Sequence, residues 1–322
     1  MSEPQKLGWV GLGAMGAPMA SNLLSKSPHG SELYIYDLSE ASMKLFIDRN
    51  GPNAIACTSP REVAENADIV FTMLPEGSHV RTVYLEDGTG IIAANKSPSL
   101  LVECSTIDSG TSLHVAEELK GKHPTSSFFD APVSGGVLGA EASSLTLMLG
   151  CSEDHPSYPK LHHLLSLMGR HIVACGGPGT GLTAKICNNY CSGLIAIATA
   201  EAFNIGVKAG MDPRVLQKVF SNSTAQSAIN DNWNPVPGLC PDAPASKGYK
   251  GGFKVQLMAK DFGLACGLAE KARARTVLAA AGLKTYMGAS QDEKCRDLDS
   301  RVVYRYLGGR EDWMEHLEAP TK

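Results

Sequence analysis

The chain has 322 residues, 43% of them hydrophobic and 19% charged, with a net charge of -4; this is ordinary for a soluble globular protein and long enough for two domains. That charge, without a basic stripe, gives no electrostatic case for nucleic acid or a membrane surface as a partner. Nine cysteines, odd in number and without a CxxC pair, argue against a disulfide framework and for a reducing compartment.

From Leu7 to about Gly177 short apolar runs alternate with helical patterns. "LGWV" leads into "GAPMASNLLSK" and "ELYIYD" into "SEASMKLFIDRN". "ADIVFTML" runs unbroken to Pro75, as expected of a strand buried on both faces. "LLVECST", "SSFFDAPV", "SLTLML" and "HIVAC" extend the series. The alternation predicts an α/β fold, with a mostly parallel, doubly wound Rossmann-type sheet over residues 1–177.

Near Gly176-Gly177-Pro178-Gly179 the strand signal stops. Thr180 to Gly210 reads as one long helix, and Asp212-Pro213 supplies a cap and a first-turn proline for the next. "NPVPGLCPDAPASKGYKGG" is a long loop of the kind that carries function or an interface. Phe253 to Gly288 returns to helical periodicity, and "LDSRVVYRYLG" predicts a last helix. Residues 178–322 are thus expected to form an all-helical domain for substrate binding and oligomerisation, joined by the long interdomain helix. The tail after Gly309 receives no role.

Several features carry ordinary readings. The best membrane-spanning candidate, Tyr190 to Ala200, is too short and contains Ser192 and Thr199. The opening "MSEPQK" does not resemble a transit peptide. Cys187 and Cys191 lie four apart on a presumed helix face, without a histidine or carboxylate at ligand spacing, and read as small packing residues. His162-His163 reads as surface, and Arg273 with Arg275 as a solvated helix face. No metal site is expected.

"GWVGLGAMG" contains Gly11-x-Gly13-x-x-Gly16 after the first strand and at the start of a helix, the context that makes this spacing a dinucleotide-binding turn. Gly11 permits the tight turn, Gly13 the approach of a pyrophosphate, and Gly16 close helix–strand packing. The whole turn, with Leu12, Ala14 and Met15 between the glycines, presents the helix N-terminus to the phosphates. Asp37 ends the next strand, where a carboxylate bonds the adenosine ribose. It would repel a 2′-phosphate, so NAD is favoured over NADP. A plain turn aspartate is the alternative.

Ser134-Gly135-Gly136 in "DAPVSGG" offers a hydroxyl and successive backbone N–H groups, a nest suited to a small carboxylate; a structural turn would look the same. Lys185 and Asn189 in "TGLTAKICNNY" share a helix face at i, i+4 spacing. A free lysine titrates near about 10.4, and partial burial can bring it into the range of a proton shuttle. Lys185 could then take the proton of an alcohol as its hydride leaves, with Asn189 fixing the hydroxyl. A lysine snorkelling to solvent is equally compatible with the residues. Lys260-Asp261 in "LMAKDFGLA" could reach the same cleft or be a structural ion pair.

Together these motifs resemble the β-hydroxyacid dehydrogenase family over nearly the whole chain, from Leu7 to about Gly308. "GLGAMGAPMASNL" is similar to its cofactor signature, "DAPVSGGVLGA" to its substrate signature, "GTGLTAKICNN" to its catalytic helix and "LMAKDFGLA" to its C-terminal signature. The resemblance implies Lys185 as acid/base and Asn189 as its substrate-binding neighbour. Ser134, Gly135 and Gly136 would hold the substrate carboxylate, and Thr106 would lie near the nicotinamide, with Leu74 and Pro75 along the cofactor. Lys260 would approach cofactor and substrate, and Asp261 would stabilise that corner. In "MLPEGSHV" His79 stands where the family commonly has an asparagine.

"NWNPVPG" and "GYKGGF" resemble the branch that oxidises 3-hydroxyisobutyrate to methylmalonate semialdehyde in valine catabolism. Reduction of glyoxylate, succinate semialdehyde or tartronate semialdehyde stays within the family. Imine reduction is disfavoured by the retained lysine, and a non-catalytic NAD-binding protein by the complete set of motifs. The resemblance implies a mitochondrial matrix enzyme, although no transit peptide is visible and a cytoplasmic one is the alternative. Its partners would be a small hydroxyacid and further copies of itself, as a homodimer or homotetramer.

Overall fold

The structure, a computed structural model, describes residues 3–317; the outermost residues of the two predicted domains lie outside that range. The chain divides into two compact units, Met1–Lys185 and Ile186–Lys322.

In the first unit β1 (Lys6–Val10), α1 (Gly16–Lys26), β2 (Glu32–Tyr36), α2 (Glu40–Asn50), β3 (Ala54–Ala56), α3 (Pro60–Asn66), β4 (Ile69–Thr72), α4 (Gly77–Leu85), β5 (Leu100–Glu103), α5 (Ser109–Lys122) and β6 (Ser127–Asp130) alternate. The six strands pair in parallel in the order β3-β2-β1-β4-β5-β6. This is the Rossmann order, and the reversal between β1 and β4 is where such sheets take ligands, beyond the carboxyl ends of the strands. Every residue of β4 and of β5 is buried. Successive residues alternate between two cores: Trp9, Phe71 and Val102 face one, and Val10, Val70 and Leu101 the other. Side-chain caps start α2 and α5, Ser39 accepting the Ser42 N–H and Asp108 the Thr111 N–H. Short β3 carries no clear signal in the sequence.

The later strands of the series leave that sheet. β7 (Val133–Ser134), α6 (Gly136–Glu141), β8 (Leu145–Leu149), α7 (Tyr158–Ser166) and β9 (Gly169–Ala174) follow, and the three strands form a separate sheet in which β7 runs antiparallel to β8. Pro132 has no N–H to continue the β6 ladder. Instead its carbonyl accepts the Met148 N–H at 3.0 Å, and the Asp130 carbonyl accepts the Gly150 N–H at 2.8 Å.

α8 (Thr180–Lys208) runs 29 residues, and the division between the units falls within it. Its most apolar 18-residue window has a mean hydropathy of 1.3, so by length and composition the helix could cross a bilayer, which the shorter 190–200 run did not suggest. Leu182 lies in a core of the first unit, and Ala200, Phe203 and Val207 in that of the second. Within that window 39% of the residues are buried inside the protein, so packing accounts for part of the hydropathy. Cys187 and Cys191 are exposed, so their reading as packing residues is corrected: they lie on the side of α8 turned away from the core.

The second unit continues with α9 (Pro213–Ser221), capped by Asp212, α10 (Ala228–Asn232), α11 (Val255–Lys271), α12 (Ala279–Gln291), α13 (Val303–Tyr306) and α14 (Trp313–Leu317). The helical stretch expected from Phe253 to Gly288 is broken by a turn between α11 and α12, where Arg273 takes a φ of 54°. Arg273 and Arg275 are exposed there and not on a helix face. The predicted last helix is a 3-10 turn, Ser300–Val302, followed by the four residues of α13. The tail has a structural role after all. Trp313 is 3% exposed and donates its indole N–H to the Pro237 carbonyl at 2.9 Å.

Phe262 centres the second core. Its ring lies 4.9 Å from that of Tyr286 and 5.3 Å from that of Tyr190. A Cβ on Gly193 of α8 or on Gly282 of α12 would meet the ring at 2.4 Å in each case. The two glycines are the slot that receives it. Phe262→Ala is expected to cost about 3–5 kcal/mol, read as a lowered denaturant midpoint of the full chain with an unchanged m-value.

Candidate active site

The glycine turn follows β1 and leads into α1. Gly11 has a φ of 97°, and a Cβ there would meet the Met73 carbonyl oxygen at 2.3 Å. A Cβ on Gly16 would meet the Gly11 carbonyl oxygen at 2.0 Å. Only glycine fits either position. Gly13 differs: it is exposed, and a Cβ would meet nothing within 4 Å, so the space before the first turn of α1 is open. Leu12 is buried, Ala14 exposed and Met15 half-buried.

Asp37, just after β2, pins this turn from the side. The Leu12 N–H donates to Oδ2 at 2.7 Å and the Ser39 N–H to Oδ1 at 2.8 Å. An ionised carboxylate has about four lone-pair sites, so acceptor capacity remains for ribose hydroxyls. Beside it lies a cleft lined by Asp37, Glu40, Lys44 and Asp48 among others. Its three carboxylates against one ammonium make it a poor place for an added phosphate.

At the ends of β4 and β5, Leu74 is half-buried, Pro75 exposed and Thr106 half-buried. Ser105 holds the two segments together, accepting the Leu74 N–H on its hydroxyl oxygen at 2.7 Å. His79 is exposed. Further along, Ser134 ends β7 and is half-buried, while Gly135 and Gly136 are exposed with φ of 137° and 64°. These left-handed conformations turn the backbone sharply into α6.

Lys185 lies one turn into α8 and is 6% exposed. Asp130, at the end of β6, sets the start of that helix. Its Oδ1 accepts the Gly179 N–H and its Oδ2 the Leu182 N–H, each at 2.8 Å. Burial raises the Asp130 carboxyl above its ordinary value, and these bonds hold it down. A Cβ on Gly150 would meet Oδ1 at 2.0 Å, so the carboxylate is enclosed on the small sheet's side too.

In the second unit Asn189 is 8% exposed and Asp261 1%. The Asn189 amide donates to Asp261 Oδ2 at 2.5 Å, and the Lys260 ammonium lies 3.4 Å from Oδ1. This fixes the Asn189 carboxamide, while Oδ1 of the buried aspartate has the Lys260 charge beside it but no hydrogen-bond partner among the described residues. Lys260-Asp261 is therefore an ion pair, and a buried one on the aspartate side.

The residues of the first unit fit a dinucleotide: an open space at Gly13, an adjacent helix N-terminus, and a carboxylate with free lone pairs at the end of β2. Among the described residues no group of three or more histidine, cysteine or acidic side chains could hold a metal ion. Asp130, Glu103 and Ser105 were not singled out by their motifs. Their signal in the sequence was an acid closing an apolar strand, in "SSFFDAPV" and "LLVECST".

Two family models match the chain: the NAD binding domain of 6-phosphogluconate dehydrogenase over residues 6–177, and the NAD-binding domain of NADP-dependent 3-hydroxyisobutyrate dehydrogenase over residues 179–307. A protein of Dictyostelium discoideum named a probable mitochondrial 3-hydroxyisobutyrate dehydrogenase is 41% identical, over 95% of this chain and 92% of its own. The mitochondrial 3-hydroxyisobutyrate dehydrogenase of Mus musculus is 40% identical, over 95% and 88%. The solved structure of the Mycobacterium tuberculosis 3-hydroxyisobutyrate dehydrogenase with L-serine superposes with a TM-score of 0.84 at 32% identity, covering 95% of this chain and 99% of that one.

Gly13→Val is expected to leave the fold and thermal midpoint intact, because the added side chain enters open space. NAD affinity, read by isothermal titration calorimetry, should fall at least about tenfold, or about 1.4 kcal/mol.

Proposed function

The chain belongs to the 3-hydroxyisobutyrate dehydrogenase family, and on that premise we propose that it oxidises 3-hydroxyisobutyrate to methylmalonate semialdehyde with NAD, as a step of valine catabolism. The observation that carries the reading is the burial of Lys185, 6% exposed, on a helix whose start is held by Asp130. That burial favours a proton shuttle over a lysine snorkelling to solvent.

Bound NAD supplies the hydride acceptor, held by the glycine turn from Gly11 to Gly16, by Asp37, and by Leu74, Pro75 and Thr106. The Ser134 hydroxyl and the Gly135 and Gly136 N–H groups hold the substrate carboxylate. The Lys185 amine takes the proton of the substrate hydroxyl and returns it to the forming alcohol in reverse. Asn189, its carboxamide oriented by Asp261, hydrogen-bonds the same hydroxyl. To Lys260 we assign the contact with cofactor and substrate that the family resemblance implies.

A second substrate reading is L-serine, a β-hydroxyacid with an amino group in place of the methyl, supported by its presence in the mycobacterial structure. The names of the slime-mould and mouse relatives support a mitochondrial site of action. Exposed Ile205, Val215 and Val219 on the second unit support assembly as a homodimer or homotetramer.

Reduction of NAD, followed by absorbance over a panel of small hydroxyacids, tests the reading. Turnover of 3-hydroxyisobutyrate well above L-serine, 4-hydroxybutyrate and glycerate is expected; preference for serine supports the second reading, and inertness toward every acid overturns both. Lys185→Ala should lose about a hundred- to ten-thousand-fold in kcat with NAD affinity unchanged, and full activity in that variant would remove the catalytic assignment.

A further inference from the structure

Glu103 closes β5 in an otherwise apolar strand, its side chain fully buried, and no step above uses it. The Thr72 hydroxyl, at the end of β4, donates to Oε2 at 2.5 Å. The Ser105 N–H donates to Oε1 at 2.6 Å, and Ser105 in turn accepts the Leu74 N–H. The Tyr84 hydroxyl of α4 lies 2.9 Å from Thr72 Oγ1; with Thr72 donating to the carboxylate, the tyrosine is the donor of that pair. Every hydrogen in this network thus points toward Glu103, from β4 and α4 on one side and from the segments after β4 and β5 on the other.

We propose that Glu103 is a positioning residue for NAD: through Ser105 and Thr72 its carboxylate locks the Leu74–Pro75 and Ser105–Thr106 segments in the arrangement that receives the cofactor, and it releases them on taking up a proton. This rests on the reading of those segments as cofactor contacts. A carboxylate only accepts hydrogen bonds, whereas a carboxylic acid must also donate one. Donated to Thr72, the new hydrogen reverses the bond to Tyr84, whose own hydroxyl hydrogen then points into a fully buried site. Donated to Ser105, it displaces the hydrogen bond that the Ser105 side chain gives to the carboxylate and turns the hydroxyl that accepts the Leu74 N–H. Either way the hydroxyl network between β4, α4 and the segment after β5 is rearranged, and one buried donor loses its partner or its geometry.

The titratable groups facing Glu103 are Tyr84 from α4, Cys104 from the end of its own strand and Asp130 from β6, all of them acids. Burial pushes the Glu103 carboxyl up to about 7, the Asp130 charge adds to this, and the bonds from Ser105 and Thr72 oppose it. The proton therefore comes and goes near neutrality, where a small change in pH changes the population of the locked form.

Calorimetric titration of the full chain with NAD from pH 5.5 to 8.5 tests this. Wild-type affinity should weaken about fivefold or more toward the acid side, with its midpoint near Glu103's titration. Glu103→Gln, whose amide must donate as the protonated acid does, should bind with the wild type's low-pH affinity at every pH. His79→Ala, altering the exposed histidine of α4, should keep the wild-type midpoint. A Glu103→Gln profile that overlays the wild type overturns the proposal.

A second readout needs no cofactor. Because burial raises this carboxyl from its ordinary 4.5, its contribution to stability is fully present below that value and lost as pH rises through about 7. The thermal midpoint of the ligand-free wild type, relative to Glu103→Gln, should therefore fall between pH 5 and 8; a constant difference counts against the proposal. Should Glu103→Gln not fold, Ser105→Ala removes the link to Leu74 while keeping the carboxylate. It should weaken NAD binding severalfold at pH 8, and unchanged binding overturns the proposal. If Gly13→Val and Thr106→Ala both bind NAD as the wild type does, the cofactor reading itself fails. If they lose affinity while Glu103→Gln does not, only the role of Glu103 fails.

Discussion

The two oxygens of Asp130 accept the N–H groups of Gly179 and Leu182 at 2.8 Å, and the placement of the proposed acid/base follows from that contact. The start of an α-helix leaves backbone donors without partners. Here a carboxylate at the end of a rigid strand takes two of them. The bond ties β6 of the large sheet to the first turn of α8. The carbonyl of the same residue takes the Gly150 N–H after β8, which adds the small sheet. Lys185 stands one turn beyond this anchor. A site built on strand ends and a capped helix holds geometry better than one built on free loops.

The same device recurs along the sheet. Asp37 follows β2 and holds the Leu12 N–H, Glu103 ends β5 and holds the Ser105 N–H, and Asp130 ends β6. In each case a carboxylate at or just past the carboxyl end of a parallel strand fixes the backbone of a segment that borders the proposed site. Burial makes Glu103 and Asp130 costly to ionise, and their hydrogen bonds offset part of that cost. Backbone segments after β1 and β5 and at the start of α8 are thereby held rigid before any ligand arrives.

Much of the fold was legible because its signals are local. The alternation of apolar runs and helical patterns, the glycine turn followed by a helix, the Asp212-Pro213 start and the length of α8 all follow from residue spacing and capping. What sequence could not supply was pairing between distant segments. β7, β8 and β9 look like further members of one series, and only Pro132 hints that the ladder stops before them. The break between α11 and α12 rests on Arg273 in a left-handed conformation, unusual for arginine. Trp313 looked like part of an idle tail, yet its indole fills a core made by distant residues. The site divides the same way. Lys185, Asn189 and the glycines stand in recognisable motifs, whereas Asp130 and Glu103 acquire meaning only once their N–H partners, as many as 52 residues away in sequence, are known.

The proposed chemistry requires an amine of α8 to meet the hydroxyl of a substrate held beside NAD. A crystal structure of the full chain with NAD and 3-hydroxyisobutyrate tests this most directly. It should show Lys185 Nζ within about 3.2 Å of the substrate hydroxyl oxygen, with the carboxylate against Ser134, Gly135 and Gly136. A complex in which Lys185 Nζ bonds only protein groups, while another side chain contacts that hydroxyl, would contradict it.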